Sequence, residues 1–121
     1  MFKITSNDAN RLTIEFSGKL DSDEMKLALD ELSNQSKNIE SGRMLYRITN
    51  FEFPTLGAIG IEISRIPELI RLSKKFDRAA VLTDKTWIGK VGELEGLFIP
   101  GLKIKAFELT EETEAEAWLS E

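Results

Sequence analysis

The sequence predicts a single α/β domain: a mixed, mostly parallel sheet of five strands with helices packed against it. Three observations predict this class. Short apolar runs typical of strands alternate with longer runs of helical period, which favours parallel strands joined by helices. Two strand-like runs at the start are separated only by turn-forming residues, which adds an antiparallel edge. The length of 121 residues suits one domain, residues 1–121, with the order β-β-α-β-α-β-α-β-α.

The N-terminal half contains two strands, a helix and a third strand. Phe2–Thr5 is a short strand, and Arg11–Ser17 alternates apolar and polar residues as a half-buried strand does. Asp21 or Ser22 caps the first helix, whose apolar stripe weakens through Ser33–Glu40. The next strand is Arg43–Thr49.

The C-terminal half repeats the helix–strand alternation. Apolar residues recur at helical spacing from Thr55 to Phe76, and Pro67 must kink or split that helix. Ala79–Thr83 is a continuous apolar run, as expected of a central strand covered on both faces. A helix over Thr86–Ile99 follows. The chain closes with a strand over Lys103–Leu109 and a last helix opened by a capping box at residues 110–113.

The composition excludes several kinds of active site. Apolar residues make up 41% and charged residues 31%, as in soluble globular proteins, and there is no cysteine and no histidine. A thiol nucleophile, a disulfide, a zinc finger and an imidazole base are therefore impossible. The acidic clusters lie at predicted helix starts, where the helix dipole explains them. We assign no catalytic residue, no metal and no cofactor, and expect a protein that is not an enzyme.

Charge is unevenly distributed along the chain. The formal net charge is -5, which argues against a nucleic-acid partner. Residues 65–90 carry seven Lys/Arg and three acids, a local charge of +4, whereas the last fourteen residues carry six Glu and no base. We interpret the acidic tail as a solvated helix face docked by Trp118 and Leu119. The alternative is contact with a basic partner, including residues 65–90 of a second copy in a homodimer.

Cytoplasmic location is the default expectation. The first residues lack the apolar core of a signal peptide, and no apolar run has the length of a membrane span. Peripheral attachment at the inner membrane remains an alternative.

Several segments resemble those of the SpoIIAA-like family, which has the STAS fold of the sporulation anti-sigma factor antagonists and a small version of the CRAL-TRIO architecture. They are Phe76–Leu82, Trp87 at the start of its helix, Lys105–Phe107 and Ala115–Leu119. The resemblance covers essentially the whole chain. It implies a cleft between the last two long helices and the sheet that holds an apolar or lipid-like ligand, with helices that can move.

The resemblance also implies a site of regulation, with one departure. In the antagonist branch, a phosphorylated Ser or Thr next to an acid begins the helix after the central strand. Here no Asp-Ser pair is present; Thr55 is the only nearby hydroxyl and Glu52 the only nearby acid. Thr55 is therefore the phosphorylation candidate of an alternative function, a protein-interaction regulator of the antagonist type.

Two residue sets carry the main functional hypothesis, a non-enzymatic binding module for an apolar or lipid-like small molecule. The expected ligand-binding residues share an apolar stripe on one of two facing helices: Leu56, Ile59, Ile63, Ile66, Ile70, Trp87, Val91, Leu94 and Phe98. Ile61, Leu69 and Leu72 widen the first stripe. Ordinary core packing is the alternative for both stripes. The expected contacts with an anionic membrane surface are basic or interfacial: Arg71, Lys74, Lys75, Lys85, Trp87 and Lys90.

Overall fold

The computed structural model describes residues 2–8, 10–52, 55–84 and 101–121. The helix predicted over Thr86–Ile99 lies outside these residues. The remaining elements follow the predicted order along the chain, and each strand and helix predicted within the described ranges is present. The bounds are β1 (Phe2–Asp8), β2 (Arg11–Gly18), α1 (Ser22–Gln35), β3 (Gly42–Phe51), α2 (Leu56–Ser64), α3 (Ile66–Ser73), β4 (Phe76–Thr83), β5 (Lys103–Phe107) and α4 (Glu112–Leu119).

The five strands form one mixed sheet in the order β1-β2-β3-β4-β5. β1 pairs antiparallel with β2, and each later neighbour is parallel. This confirms the predicted fold class and the antiparallel edge. The core strand β4 is buried over Ala79–Thr83, as its continuous apolar pattern predicts.

Several predicted boundaries are wrong. The helix predicted to reach Phe76 ends at Ser73, and β4 begins at Phe76 instead of Ala79. The first strand continues to Asp8 instead of ending at Thr5, because its polar residues pair with Leu12 and Arg11 across a very short hairpin. The capping box lies at Glu108 and Glu111, not at residues 110–113. The Glu111 carboxylate accepts a hydrogen bond from the Glu108 amide at 2.8 Å. This box caps a 3₁₀ turn over Leu109–Glu111 that precedes α4, and β5 ends before it, at Phe107.

Helices cover both faces of the sheet. α1, α2 and α3 share one apolar core with Leu20, Met25, Leu29 and Ala58, and Phe16 of β2 packs against it. α4 packs on the opposite face, where Ala115 and Leu119 contact Leu45, Ala80 and Leu82. Trp118 and Leu119 therefore dock the acidic helix, as the sequence predicts.

Close packing around the start of β3 requires a glycine at position 42. A Cβ atom at Gly42 would collide with the Ile39 side chain and would lie 3.1 Å from both the Asn10 carbonyl and the Phe76 ring. These contacts bring together the loop after α1, the β1–β2 hairpin and the start of β4. Glycine at this position is therefore a packing requirement.

Candidate interaction surface

The outer flank of α2 and α3 is apolar and exposed. Leu56 is 89% exposed, Ile63 60%, Ile66 44% and Ile70 45%. Leu56 and Ile63 are seven residues apart and therefore share one side of α2, as Ile66 and Ile70, four apart, do on α3. Together with the half-buried Ile59, they form what we call the α2–α3 face: Leu56, Ile59, Ile63, Ile66 and Ile70. The alternative that this stripe is ordinary core is wrong for its four exposed members.

A different set of residues attaches these helices to the sheet. Ala58 and Leu72 are buried, and Ile61 and Leu69 pack against the core beneath α1 and α2. The prediction that Ile61, Leu69 and Leu72 widen the outer stripe is therefore wrong. Helical period places Ile61 beside Ala58 and away from Leu56, so the two helices carry apolar residues on both sides.

The joint between α2 and α3 is at Arg65. α2 ends there, and Pro67 lies in the first turn of α3, which confirms the predicted split. Arg65 Nε and Nη2 donate to the Glu68 carboxylate at 2.8 and 2.9 Å, and Nη1 donates to Asp30 of α1 at 2.8 Å. These hydrogen bonds raise the pKa of Arg65 and lower that of Glu68. Sequence reasoning missed this role, although the i,i+3 spacing of Arg65 and Glu68 is a signal for it.

Two of the predicted membrane-surface cations are exposed beside this face. Arg71 lies in the last turn of α3, and Lys74 caps its C-terminus. Lys75 is partly buried, and its ammonium donates to the Lys37 carbonyl at 3.3 Å. Lys85, Trp87 and Lys90 lie outside the described residues. The described part of the basic surface is therefore Arg71 and Lys74.

The second wall of the expected ligand cleft also lies outside the described residues, since Trp87, Val91, Leu94 and Phe98 belong to it. A groove elsewhere in the described part lies over β1, β2 and β3. It is lined by Phe2, Lys3, Glu15, Phe16, Ser17, Arg47 and Thr49. This groove includes none of the predicted ligand-binding residues.

Thr55 occupies the N-cap of α2, directly after the segment that follows β3. Its hydroxyl accepts the Ala58 amide at 3.1 Å, and its backbone is extended, as N-cap residues usually are. Its side chain is partly exposed. The phosphorylation candidate Thr55 therefore begins α2, the helix after β3, which is the middle strand of the sheet. This is the position that the resemblance implies.

The described ranges contain neither a metal-binding cluster of acidic side chains nor a membrane-spanning helix. No group of three or more acidic side chains there has the spacing to hold a metal ion. No helix in that part of the chain is both long and apolar enough to span a membrane.

Comparisons with known proteins agree with the fold. A protein of Shewanella loihica with a SpoIIAA-like fold superposes with a TM-score of 0.76 at 20% identity, covering 98% of this chain and 93% of that one. The phosphorylated cell fate determinant SpoIIAA of Bacillus gives a TM-score of 0.59 at 18% identity, covering 98% and 99%. The anti-sigma factor antagonist SpoIIAA in its unphosphorylated form gives 0.59 at 17%, covering 100% and 98%.

Sequence comparison gives the family. No curated protein matches the chain significantly. The sequence profile of the SpoIIAA-like family matches residues 11–120, nearly the whole chain. This confirms the resemblance seen in Phe76–Leu82 and the C-terminal helix. The chain belongs to the SpoIIAA-like family.

Proposed function

We propose that this protein is a non-enzymatic binding module that attaches reversibly to an anionic membrane surface through the α2–α3 face. The observation that carries the proposal is the exposure of Leu56 and Ile63 along one side of α2 and of Ile66 and Ile70 along one side of the adjoining α3. Large apolar side chains grouped on a surface mark an interaction site, whereas scattered ones need no explanation. Within the described residues the other strongly exposed large apolar side chain is Leu27 of α1.

The charges beside the face favour a membrane over a neutral apolar partner. Arg65 is neutralised by Asp30 and Glu68, but Arg71 and Lys74 extend from the end of α3 into solvent. Each cation near an anionic leaflet contributes about 1 kcal/mol, and a fully buried isoleucine side chain about 1.5–3 kcal/mol. Partial insertion of these side chains with two cations therefore gives attachment that is reversible, and a peripheral location at the inner membrane follows.

Co-sedimentation with vesicles tests the proposal. We expect the protein to sediment with phosphatidylcholine vesicles that contain phosphatidylserine, and to remain in solution with phosphatidylcholine alone. The variant Ile63→Gln/Ile70→Gln removes apolar contact, and Arg71→Gln/Lys74→Gln removes charge. Each double variant should weaken binding by about tenfold or more, because each removes more than about 1.4 kcal/mol.

Matched controls come from the same chain. Leu27→Gln removes an exposed apolar side chain from α1, and Lys103→Gln/Lys105→Gln removes two exposed cations from β5. Both controls should bind vesicles like the wild type. Absence of binding to both kinds of vesicle, or equal loss in the controls and the α2–α3 variants, would contradict the proposal.

A second candidate function is a protein-interaction regulator of the anti-sigma factor antagonist type. The specific observation in its favour is Thr55, whose hydroxyl caps α2 at the helix that follows the central strand. A phosphate at this position would lie at the positive end of the helix dipole. The partial exposure of this side chain supports the candidate.

Intact mass measurement after incubation with a serine/threonine kinase from the same organism tests this candidate. The expected result is one added phosphate on the wild type and none on Thr55→Ala. Thr113→Ala, which changes an exposed threonine of α4, is the control and should still be modified. Lack of added phosphate on the wild type, or modification that persists in Thr55→Ala, would count against the candidate.

A further inference from the structure

Four cations form a row across the face of the sheet that α4 covers. The register places Arg11 of β2 opposite Arg43 of β3, Arg43 opposite Arg78 of β4, and Arg78 opposite Lys103 of β5. We call these four residues the cation row. Adjacent strands are about 4.8 Å apart, so each cation has a like charge as its direct neighbour. Such pairs destabilise a sheet unless an anionic group compensates them.

The C-terminal part of α4 supplies that compensation. Glu116 accepts two hydrogen bonds from Arg11, at 2.9 and 2.6 Å. Arg43 Nε donates to the Leu119 carbonyl at 2.9 Å, and Arg78 Nη1 donates to the Trp118 carbonyl at 2.7 Å. The carbonyls at a helix C-terminus carry the negative end of its dipole. The row therefore binds the C-terminal carbonyls of α4 together with the Glu116 carboxylate.

This helix does not satisfy the whole row. Arg11 Nε and Arg43 Nη1 are buried atoms without a hydrogen-bond partner. Arg43 Nη1 lies 3.2 Å from the Asp77 carboxylate, an ion-pair distance, but without hydrogen-bond geometry. Lys103 is exposed and forms no ion pair with any described residue. Glu121, which follows α4, adds a carbonyl that accepts from Arg43 Nη2 at 3.3 Å and a carboxylate 3.8 Å from Arg78 Nη1. Lys103 is thus the member of the row that no described anionic group pairs.

We propose that the cation row is a docking surface for an acidic helix of a partner protein, and that α4 occupies it within the chain as a competitor. Charge complementarity supports this occupant, because α4, the helix that now covers the row, is itself acidic. Glu116 pairs with Arg11, Glu112 with Arg47, and Trp118 lies under the Arg78 guanidinium at 5.0 Å. This proposal does not depend on the α2–α3 face, which lies on the other side of the sheet.

Competition within the chain sets the expected affinities. A segment tethered beside its site has an effective concentration of roughly millimolar or higher. A free acidic helix therefore binds the wild type weakly. Removing the carboxylates of α4 while keeping its apolar contacts through Ala115 and Leu119 should shift the competition toward the free helix.

The probe is a fluorescent peptide with the sequence of residues 108–121, followed by anisotropy at low ionic strength. We expect it to bind the full chain carrying Glu112→Gln/Glu116→Gln about tenfold more tightly than the wild type. Salt should weaken this binding, since partly exposed ion pairs are screened. Both substitutions are isosteric and lie at the surface, and circular dichroism verifies that the variant is folded.

Two further variants assign the binding to the row. When Arg78→Gln is added to Glu112→Gln/Glu116→Gln, the tighter binding of the peptide should be lost. When Arg71→Gln/Lys74→Gln is added instead, which removes two cations of α3, the tighter binding should remain. The proposal is overturned if the folded Glu112→Gln/Glu116→Gln chain binds the peptide no better than the wild type. The proposal is also overturned if Arg71→Gln/Lys74→Gln lowers the affinity for the peptide as much as Arg78→Gln does, because the peptide would then be attracted by the total charge of the protein and not by the row.

Discussion

Arg65 and Glu68 form a two-point ion pair at the joint between α2 and α3. Both carboxylate oxygens of Glu68 accept from the guanidinium, at 2.8 and 2.9 Å, and the remaining nitrogen reaches Asp30 of α1. The pair fixes the start of α3 against the end of α2, where the helical hydrogen bonds are interrupted. The hydrogen bond to Asp30 also connects this joint to α1.

The first prediction concerns the pH dependence of this pair. Hydrogen bonding to Arg65 lowers the pKa of Glu68 from its usual value of 4.5. The stabilisation is therefore fully present above that value and is lost as the pH falls through the lower pKa of the folded state. At about pH 7, Arg65→Gln should reduce the free energy of unfolding by about 0.5–1 kcal/mol for each of its two partly exposed ion pairs, with Glu68 and with Asp30. The reduction should be smaller at about pH 3.

Urea unfolding at the two pH values measures this difference. Lys74→Gln removes an exposed cation without an ion pair among the described residues and serves as the control. A loss of stability in Arg65→Gln that is equal at both pH values would show that the guanidinium acts through packing alone.

The second prediction compares two glycines. Gly42→Ala should cost about 1–3 kcal/mol, because the new methyl group collides with Ile39 and is crowded by the Asn10 carbonyl and the Phe76 ring. Gly60→Ala should stabilise the protein by about 0.5–1 kcal/mol, since a Cβ atom there meets nothing within 4 Å and α2 gains helix propensity. Thermal unfolding of both variants checks the opposite signs; a stable Gly42→Ala would refute the close packing.

The third prediction separates the two possible roles of Thr55. Thr55→Ala removes the oxygen that accepts the Ala58 amide and should cost about 1 kcal/mol, a typical value for an N-cap. Thr55→Ser keeps the acceptor and should retain most of that stability. Chemical denaturation measures both. Equal stability of the alanine and serine variants would mean that Thr55 does not cap the helix in solution.

Most of the fold can be predicted from the sequence because periodicity reports which residues face the sheet. The alternation at Leu12, Ile14 and Phe16 predicts β2, and the continuous run at Ala79–Thr83 predicts β4. The pairing register of the strands cannot be predicted in this way, because it depends on how strands that are distant in sequence align. The cation row joins Arg11, Arg43 and Arg78 only through that alignment, so no local pattern reveals it.

The candidate surface can be predicted only in part for a related reason. Helical spacing groups Leu56 with Ile63 and Ala58 with Ile61, but it cannot say which group faces the sheet when both are apolar. The structure shows that the smaller Ala58 allows α2 to approach the core, which leaves Leu56 and Ile63 in solvent. The sequence identifies Thr55 only as the hydroxyl near the start of this helix, and its role as the N-cap is seen in the structure.

The most direct test of membrane attachment uses a reporter on the α2–α3 face itself. The chain has no cysteine, so Ile63→Cys and Lys105→Cys each give one site for an environment-sensitive nitrobenzoxadiazole label. On vesicles that contain phosphatidylserine, the emission of the label at position 63 should shift to the blue and resist an aqueous quencher. The label at position 105, on the opposite face of the sheet, should remain unchanged. Unchanged emission at position 63, or equal shifts at both positions, would contradict attachment through this face.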